Sequence, residues 1–420
     1  MKAKLIGIGA AGNKAAIKAI ELGVFDKASV RIMNTTVKDI NHDYDDISVI
    51  FGNQRGGCGK ERNLAKKLMK NALKQKLIGL ESFLEDDDDT VVIVSSTEGG
   101  TGCGASTILA KYIDSVLAKN VHLFVFTGFE QDARGLQNTL EYFKDLEDTF
   151  TVESISNKKF LDSSRNKAEA EEKANEEFAK RMRVFLGMDL RESDQNIDGT
   201  DLFKLSTTPG FMDVEKEVLQ GIKNTTDLSN AIREMFDYSK SLEYTKTAKR
   251  IGIILNVSER TKEIDADPAA VFKYTGEPFE VYYHIQTVNP GEDEYIAVIA
   301  SGLKLPTEEL KTVYNEYLQR TNNIDKSQDE FLDEIGSLEA VSEDKMFNLQ
   351  KKKKAQSAED FFNDDDDEDD DDEISTVAVQ PSQQEFQEPE REDSDDSVLV
   401  VKHGKKVQAN PFKDELEIRR

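Results

Sequence analysis

Cysteine and long apolar runs are both scarce in this sequence, and their scarcity excludes two classes of protein. The 420 residues include two cysteines, Cys58 and Cys103, too few for the disulfide framework of a secreted domain, so a reducing cytoplasm is the simpler setting. The apolar run near the N-terminus, MKAKLIGIGAAGNKAAIKAI, is interrupted by glycines, is too short to span a membrane and has no small-residue cleavage site. We therefore expect a cytoplasmic protein that is neither secreted nor transmembrane.

Clustered positive charge is missing as well. The chain has 82 acidic and 55 basic residues, a net charge of -27. Residues 355–420 account for -15 of that charge, and the first 354 residues for only -12. Because phosphate contacts need clustered lysine and arginine, direct nucleic-acid binding by the body of the protein is disfavoured. The four histidines are scattered and show no metal-binding spacing.

The first third of the chain alternates short apolar runs with helical patterns. Several of the runs are too continuously apolar for a one-sided sheet, which is typical of strands buried on both faces of a parallel sheet. Alternating strands and helices predict a doubly wound α/β domain. The predicted strands are Lys4–Gly9, Val30–Asn34, Thr90–Ser96, His122–Thr127 and Phe150–Ile155, and the predicted helices include Asn63–Leu73 and Ser106–Ala118.

A long helix and a smaller α+β domain are predicted next. Apolar spacings of three and four residues predict one helix over 167–190. Beyond it, the patterns predict helices over 213–219, 229–242 and 307–319, and strands over 250–257, 279–288 and 295–301. The resulting division is a nucleotide-binding domain over 1–165, a central helix over 166–192, a C-terminal domain over 193–320, a linker and acidic spacer over 321–397, and a terminal peptide over 398–420.

The tail is predicted to be a disordered spacer. Ten consecutive acidic residues, Asp364–Glu373, repel one another and cannot bury a core, so residues 351–397 are predicted to be disordered. Within this stretch, Phe361 and Phe362 are either part of the disordered segment or a docking motif. The terminal segment, residues 398–420, joins an apolar tetrapeptide to six basic residues. It is predicted to bind a partner protein, and the alternative is that it folds back on the acidic residues.

Glycine-rich loops predict a phosphate site. Residues 7–13, GIGAAGN, match G-x-G-x-x-G between a strand and a helix, where the backbone can approach a phosphate at a helix N-terminus. A dehydrogenase would need an acidic residue after the second strand, but Asn34 stands there. A P-loop is also disfavoured, since Glu61 follows Gly59-Lys60. We call residues 7–13 the N-terminal glycine loop.

The second glycine loop, residues 98–104, is more specific. It reads EGGTGCG after the strongest strand, and four glycines in seven residues are more than a tight turn requires. A third loop, residues 52–59, follows the next strand region. Loops at the carboxyl ends of parallel strands converge on one crevice, where ligands of open α/β sheets bind.

These motifs carry a resemblance to a known family. GGTGCG at 99–104 resembles GGGTG[ST]G, the signature of the tubulin/FtsZ superfamily of GTPases. The resemblance covers roughly residues 1–305, and the overall divergence is more similar to phage- or plasmid-encoded (TubZ/PhuZ-like) members than to a division protein. The other motifs follow in order: GIGAAGN at 7–13, NTT at 34–36, GGCGKER at 56–62, EQDAR at 130–134, ISNKKFL at 155–161, AEEKANEEFAKRM at 170–182 and N-x-D-x-x-D at 196–201.

The resemblance implies a GTP or GDP site, with Mg²⁺ held mainly by the nucleotide phosphates. In this family Glu130 would hold the ribose, Arg134 would lie by the phosphates, and Asn157 and Asn175 would read the guanine edge. The remaining residues implied to contact GTP are Gly9, Ala10, Ala11, Gly12, Asn13, Asn34, Gly56, Gly57, Gly99, Gly100, Thr101, Gly102, Cys103 and Gly104.

Two residues depart from the family signature. Glu98 stands where the signature begins with glycine, and Cys103 replaces threonine or serine. A carboxylate beside a triphosphate is repelled unless it points away or acts through the metal. Both cysteines are interpreted as small loop residues rather than nucleophiles or ligands, because neither has a nearby histidine or acid in sequence.

The acidic loop, residues 196–201, is the implied hydrolytic element. Asn196, Asp198 and Asp201 match the family's N-x-D-x-x-D, although each residue alone could simply cap a helix. A carboxylate there can orient a water that attacks the γ-phosphate. The long helix would separate these acids from the phosphate loops of the same subunit. In the family, head-to-tail stacking brings the loop onto the nucleotide of the next subunit, and such a contact, which does not close, makes a filament.

The sequence thus predicts a GTPase that polymerises with itself in the cytoplasm of a bacterium or a phage-infected bacterium. Its predicted role is positioning or segregating phage or plasmid DNA, through an adaptor bound to the terminal segment. A cell-division ring protein is one alternative. A nucleotide-binding regulator that does not polymerise is another, which Glu98 and Cys103 favour and the intact acidic loop opposes.

Overall fold

A ten-stranded sheet runs through the part of the chain that the structure describes. The structure is a computed structural model that describes residues 1–52, 55–193, 196–264, 268–321 and 356–363. All of these fall in the first of the two units into which the chain divides, Met1–Pro381. The strands are β1 Ala3–Ile8, β2 Val30–Asn34, β3 Ser48–Ile50, β4 Arg55–Cys58, β5 Thr90–Ser96, β6 Asn120–Thr127, β7 Thr151–Ser156, β8 Gly210–Val218, β9 Arg250–Val257, β10 Glu280–Thr287 and β11 Tyr295–Leu303.

The strand order is β10-β9-β11-β8-β7-β6-β5-β1-β2-β3. Pairing is parallel from β3 through β8, and only β11 runs antiparallel to its two neighbours. One sheet therefore passes through both predicted domains at the β7–β8 pair. The predicted domain boundaries stay a prediction.

Helices cover both faces of the sheet, which confirms the predicted doubly wound α/β fold. Leu68, Leu109 and Phe143 belong to one buried core, while Ala16 and Phe178 belong to the other. The helices are α1 Gly9–Glu21, α2 Arg62–Lys74, α3 Leu80–Phe83, α4 Gly100–Ser115, α5 Ala133–Lys144, α6 Lys167–Phe185, α7 Gly199–Ser206, α8 Thr225–Asp237, α9 Glu259–Lys262, α10 Pro268–Thr275, α11 Thr307–Thr321 and α12 Ala358–Asn363.

One predicted helix is a strand. Residues 213–219 lie mostly in β8, which pairs with β11 on one side and with β7 on the other. Asp213 and Glu215 interrupt the apolar pattern of this strand, so it resembles an amphipathic helix in the sequence. Both carboxylates are nevertheless buried, because the Arg181 guanidinium binds them at 3.1 and 2.7 Å.

The central helix α6 is shorter than predicted and crosses the sheet from one edge to the other. It ends at Phe185 rather than near residue 190, since Gly187 adopts a left-handed conformation with φ +66°. The Phe178 ring contacts Phe124, with ring centroids 4.7 Å apart, and the Phe185 ring lies 4.5 Å from that of His122 near the start of β6. Helix α6 therefore runs antiparallel to β6 and ends at the edge where the parallel strands begin.

Part of the predicted disordered stretch is a helix. Residues 356–363 pack on the body through α12: the Gln356 N–H donates to the Ser115 carbonyl at 2.8 Å, and the rings of Phe361 and Phe362 contact Tyr112 at 5.4 and 6.1 Å. The two aromatic side chains supply the apolar surface that the neighbouring acidic residues lack. The acidic residues 364–373 and the terminal segment lie outside the described residues.

Candidate functional site

The predicted phosphate loops meet at one edge of the sheet. Strands β1, β2, β5 and β6 are parallel neighbours, so the segments that follow them start from the same edge. Gly9 has φ +74°, and a Cβ placed on it would lie 2.9 Å from the Gly102 nitrogen. The N-terminal glycine loop and the second glycine loop are therefore in direct backbone contact.

Close packing accounts for several glycines of the second loop. A Cβ on Gly100 would lie 2.9 Å from the Glu61 nitrogen, one on Gly102 would lie 3.0 Å from the Ile8 carbonyl, and one on Gly104 would lie 2.1 Å from the Arg62 carbonyl. These glycines let three segments approach one another. Gly99 differs, because no atom of the described residues outside its chain neighbours lies within 4 Å of its Cβ position.

The N-terminus of α4 supplies donors for an anion. The helix begins at Gly100, so the backbone N–H groups of Gly100, Thr101 and Gly102 have no partner within the helix. Such N–H groups and the helix dipole stabilise negative charge. The open position at Gly99 gives a ligand room at this end of the helix.

Hydroxyl and amide side chains tie the other two motifs to this loop. The Thr35 and Thr101 hydroxyls lie 3.0 Å apart, and the Cys58 thiol donates to Thr35 at 3.5 Å. The Asn34 side chain accepts from the Thr35 N–H at 2.8 Å. Gly56 and Gly57 lie on β4, and Gly57 has φ +71°. The predicted NTT and GGCGKER motifs thus lie beside the second glycine loop.

Glu98 points toward the loop between β6 and α5. Its carboxylate accepts from the Glu130 N–H at 2.6 Å, and its backbone carbonyl accepts from the Asn138 side chain at 3.1 Å. Burial raises the pKa of Glu98. The side chain is therefore engaged by the β6–α5 loop.

Glu130 and Arg134 are each held by charged neighbours. Glu130 has φ +54° and pairs with Lys158, whose pKa the carboxylate raises. Arg134 donates to the Glu61 carboxylate at 2.7 Å and to the Lys60 carbonyl at 3.4 Å. Both residues lie at the edge of the sheet where the glycine loops meet, as the sequence predicts.

Two predicted asparagines have unused hydrogen-bonding atoms. Asn157 is 7% exposed, and its side-chain oxygen makes no hydrogen bond within the described residues. Asn13 accepts from the Met33 N–H at 3.2 Å, but its buried Nδ2 makes no hydrogen bond there either. Asn175 is also buried. It lies in the middle of α6, the helix that follows the turn Asn157–Ser163 along the chain. A buried polar atom without a hydrogen-bond partner destabilises the folded protein, and a ligand that bonds to this atom removes the cost.

The two cysteines are buried and free. Cys103 is fully buried, its thiol donates to the Asn138 carbonyl at 3.3 Å, and burial raises its pKa to about 11. A protonated, buried thiol is a poor nucleophile. Cys103 can reach a ligand only through its backbone.

The acidic loop lies at the opposite edge of the sheet from the glycine loops. Helix α6 has 19 residues and spans roughly 28 Å from the loop edge to Phe185. At the end of α7, the Ser206 hydroxyl lies 3.1 Å from the Met1 sulfur, which precedes β1. Within one subunit the acidic loop is therefore far from the glycine loops.

The acidic loop itself is exposed and caps α7. The Asp198 carboxylate accepts from the N–H groups of Thr200 and Asp201 at 2.7 and 2.8 Å, and the Asp201 carboxylate accepts from the Asp198 N–H at 3.4 Å. Asn196 accepts from the Ser193 N–H at 2.8 Å. The capping role is present, and the hydrolytic role of these residues stays a prediction.

Asn138 is a site residue that the sequence motifs do not predict. Its side-chain nitrogen donates to the Lys60 carbonyl at 3.0 Å and to the Glu98 carbonyl at 3.1 Å, which joins two of the loops. It stands four residues after Arg134, on the same face of α5. That helical spacing is the signal that could have identified it.

Comparison with known proteins identifies the fold. No family model and no curated protein matches this sequence. Among solved structures, TubZ of Clostridium botulinum phage c-st, with its C-terminal tail truncated, is 19% identical with a TM-score of 0.61, over 76% of this chain and 98% of that one. A GTPγS-bound protofilament of CetZ2 from Haloferax volcanii is 18% identical with a TM-score of 0.62, over 77% and 100%. A GTPγS-form protofilament of TubZ from Bacillus thuringiensis serovar israelensis is 16% identical with a TM-score of 0.64, over 79% and 94%.

The chain therefore has the same fold as these TubZ and CetZ proteins, at 16–19% sequence identity. The predicted resemblance is confirmed at the level of the fold.

Proposed function

We propose that this protein binds GTP, polymerises head-to-tail and hydrolyses GTP at each joint of the filament. The observation that carries the proposal is the placement of two half-sites at opposite edges of one sheet. The glycine loops and Asn157 form one half, and the acidic loop forms the other. Stacking one subunit on the next would bring the halves together.

The glycine loops would bind the triphosphate. Donors at the N-terminus of α4 and the open position at Gly99 suit an anion. The unused oxygen of Asn157 suits the guanine edge, because the N–H groups of guanine can donate hydrogen bonds to an amide oxygen. The solved structures of similar fold include GTPγS-bound CetZ2 and GDP-bound CetZ1.

The acidic loop would supply hydrolysis from the neighbouring subunit. Asp198 is exposed and Asp201 is half-buried at the start of α7, where a stacked subunit would approach them. One of them would orient the attacking water and accept its proton. Mg²⁺, held mainly by the phosphates, would neutralise charge on the leaving group. Among the described residues there is no cluster of three or more metal-binding side chains.

The cellular role that we favour is positioning or segregation of phage or plasmid DNA. The similarity in fold to a phage-encoded TubZ supports it. Because the body is acidic, contact with DNA would require an adaptor, which the basic terminal segment would bind. No helix in the described ranges is long and apolar enough to cross a membrane.

Deleting residues 398–420 tests the adaptor. Purified protein without this segment should still assemble and hydrolyse GTP, while tagged filaments in cells lose their association with the DNA. Loss of assembly in the purified protein would instead make the segment part of the filament contact. Tagged protein that forms a ring at the division site would favour the division alternative.

Assembly with GTP tests the function as a whole. Light scattering and pelleting should rise when GTP is added at fixed protein concentration and should not rise with GDP. Binding of GTP without assembly at any concentration would favour the non-polymerising regulator. Absence of guanine-nucleotide binding would overturn the proposal.

A further inference from the structure

The contacts of Glu98 form a separate feature of this chain. The family signature that the second glycine loop resembles begins with glycine at this position, and a glycine could not make these side-chain contacts. They concern the β6–α5 loop, residues 128–132, which carries Glu130.

The Glu98 carboxylate fits a space that two glycines leave open. A Cβ on Gly128 would lie 2.1 Å from the carboxylate, and one on Gly135 would lie 3.3 Å from it. The same carboxylate accepts from the Glu130 N–H at 2.6 Å. The side chain is thus enclosed by the start of the loop, its middle and the first turn of α5.

Glu130 needs such support. Its φ of +54° lies in the left-handed region, which residues with a Cβ rarely adopt. A bond from its N–H to the half-buried Glu98 carboxylate stabilises that conformation. The Asn138 side chain, bonded to the Glu98 carbonyl at 3.1 Å, fixes the backbone from which the carboxylate extends.

We propose that Glu98 is a positioning residue, whose carboxylate holds the β6–α5 loop so that Glu130 is presented to the bound nucleotide. That Glu98 holds the β6–α5 loop follows from the contacts above. That this places Glu130 against a nucleotide rests on the proposed function, in which Glu130 contacts the ribose.

Four variants separate this role from general stabilisation. Glu98→Ala removes the acceptor, and Glu98→Gln keeps an oxygen that can accept the same N–H. Gly128→Ala displaces the carboxylate, because the new Cβ would overlap it. Combining Gly128→Ala with Glu98→Ala keeps the new methyl group but removes the carboxylate that it would overlap. Circular dichroism and thermal melts check that each variant folds.

Hydrogen exchange of the nucleotide-free protein tests the loop directly. Amides of residues 128–132 should exchange faster in Glu98→Ala and in Gly128→Ala, but not in Glu98→Gln. The double variant should match Glu98→Ala. Unchanged exchange in Glu98→Ala overturns the proposal, and this readout holds even if the protein binds no nucleotide. If Glu98→Ala fails to fold, unchanged exchange in Gly128→Ala overturns it.

Affinity for a fluorescent GDP tests the consequence for the site. Glu98→Ala and Gly128→Ala should each weaken binding roughly ten-fold, the size expected when a hydrogen bond to a charged group is lost. Glu98→Gln should stay close to the unmodified protein, and Gly128→Ala should add nothing in the Glu98→Ala background. A further loss from Gly128→Ala in that background would show that it acts independently of Glu98. Failure of the unmodified protein to bind GDP would overturn the proposed function instead.

Discussion

At the scale of single residues, the proposal assigns GTP binding to the glycine loops and hydrolysis to the acidic loop, and one substitution can test this division. Asp201→Ala should leave GTP binding unchanged, because the glycine loops lie at the other edge of the sheet. It should slow hydrolysis strongly and leave filaments long-lived. Nucleotide binding by the monomer and phosphate release by the filament are the two measurements.

A control keeps that test specific. Asp201 also completes the cap of α7 with Asp198, and loss of a cap costs about 1 kcal/mol of stability. Glu259→Ala removes another exposed carboxylate in the first turn of a helix and should affect neither readout. Loss of GTP binding in a folded Asp201→Ala variant would contradict the separation of binding and hydrolysis.

Base choice is the second prediction at this scale. Asn157 has a buried side-chain oxygen without a partner in the part of the chain that the structure describes, and a site built on hydrogen bonds rejects a base that leaves them unpaired. GTP should therefore displace bound fluorescent GDP far better than ATP does. Asn157→Ala should lower the affinity for GTP roughly ten-fold and narrow the difference between the two nucleotides. Equal competition by ATP in the unmodified protein would show that Asn157 does not read the base.

Motifs with fixed spacing could be predicted from the sequence, whereas contacts between motifs could not. The loops around Gly9 and Gly102 are found by their glycines, and the structure brings them into contact. Asn138 and the orientation of Glu98 depend on which loops become neighbours in space. No local pattern in the sequence records which loops become neighbours.

At the scale of elements, a buried charge cluster joins α6 to the sheet. The Arg181 guanidinium binds Glu153 at 2.9 Å, Asp213 at 3.1 Å and Glu215 at 2.7 Å. Burial opposes its charge, but the surrounding carboxylates outweigh that effect and hold the pKa of Arg181 well above its usual range. This cluster also explains the wrong prediction for β8, since a sequence pattern counts Asp213 as exposed.

Arg181→Met should destabilise the protein strongly. Removing one partner of a buried ion pair leaves uncompensated charge and costs about 3–5 kcal/mol in the free energy of unfolding. Arg183→Met, on the same helix, breaks a more exposed pair with Asp189 and should cost less than about 1 kcal/mol. Denaturant titration of both variants measures the difference. Equal, small losses would show that the cluster does not hold α6 in place.

The loss in Arg181→Met should depend on pH. Burial already raises the pKa of Glu215 in the folded protein, and removal of the arginine raises it further. A carboxyl whose pKa is higher in the folded state binds its proton more tightly there, so its contribution is present at low pH and is lost as pH rises through the folded value. The variant should therefore lose less stability at about pH 5.5 than at about pH 8. A loss that is larger at the lower pH would contradict this account.

Helix α12 is an element that the amino-acid composition does not predict. Its acidic surroundings predict disorder, yet Phe361 and Phe362 dock on Tyr112. Replacing both phenylalanines with serine should speed hydrogen exchange of residues 356–363 and leave the core of the sheet unchanged. Phe279→Ser, at a half-exposed phenylalanine elsewhere, is the control. Equal exchange of residues 356–363 with and without the phenylalanines would show that they do not anchor this segment.

At the scale of the whole molecule, the proposed mechanism depends on the distance between the acidic loop and the glycine loops of one subunit. The strand and helix patterns predict most of the sheet, including β2, β5 and β9 at their observed bounds. They do not predict that one sheet continues through both predicted domains. That continuity, with α6 crossing from one edge to the other, separates the acidic loop from the glycine loops. Under the proposed function, hydrolysis would therefore depend on a second subunit.

The dependence of GTP turnover on protein concentration tests this claim most directly. Phosphate release per subunit is measured at saturating GTP across the concentration at which light scattering first rises. If the acidic loop of one subunit completes the site of the next, the rate per subunit stays near zero below that concentration and climbs steeply above it. A rate per subunit that stays constant across the assembly threshold would mean that each chain hydrolyses GTP alone, and it would contradict the account.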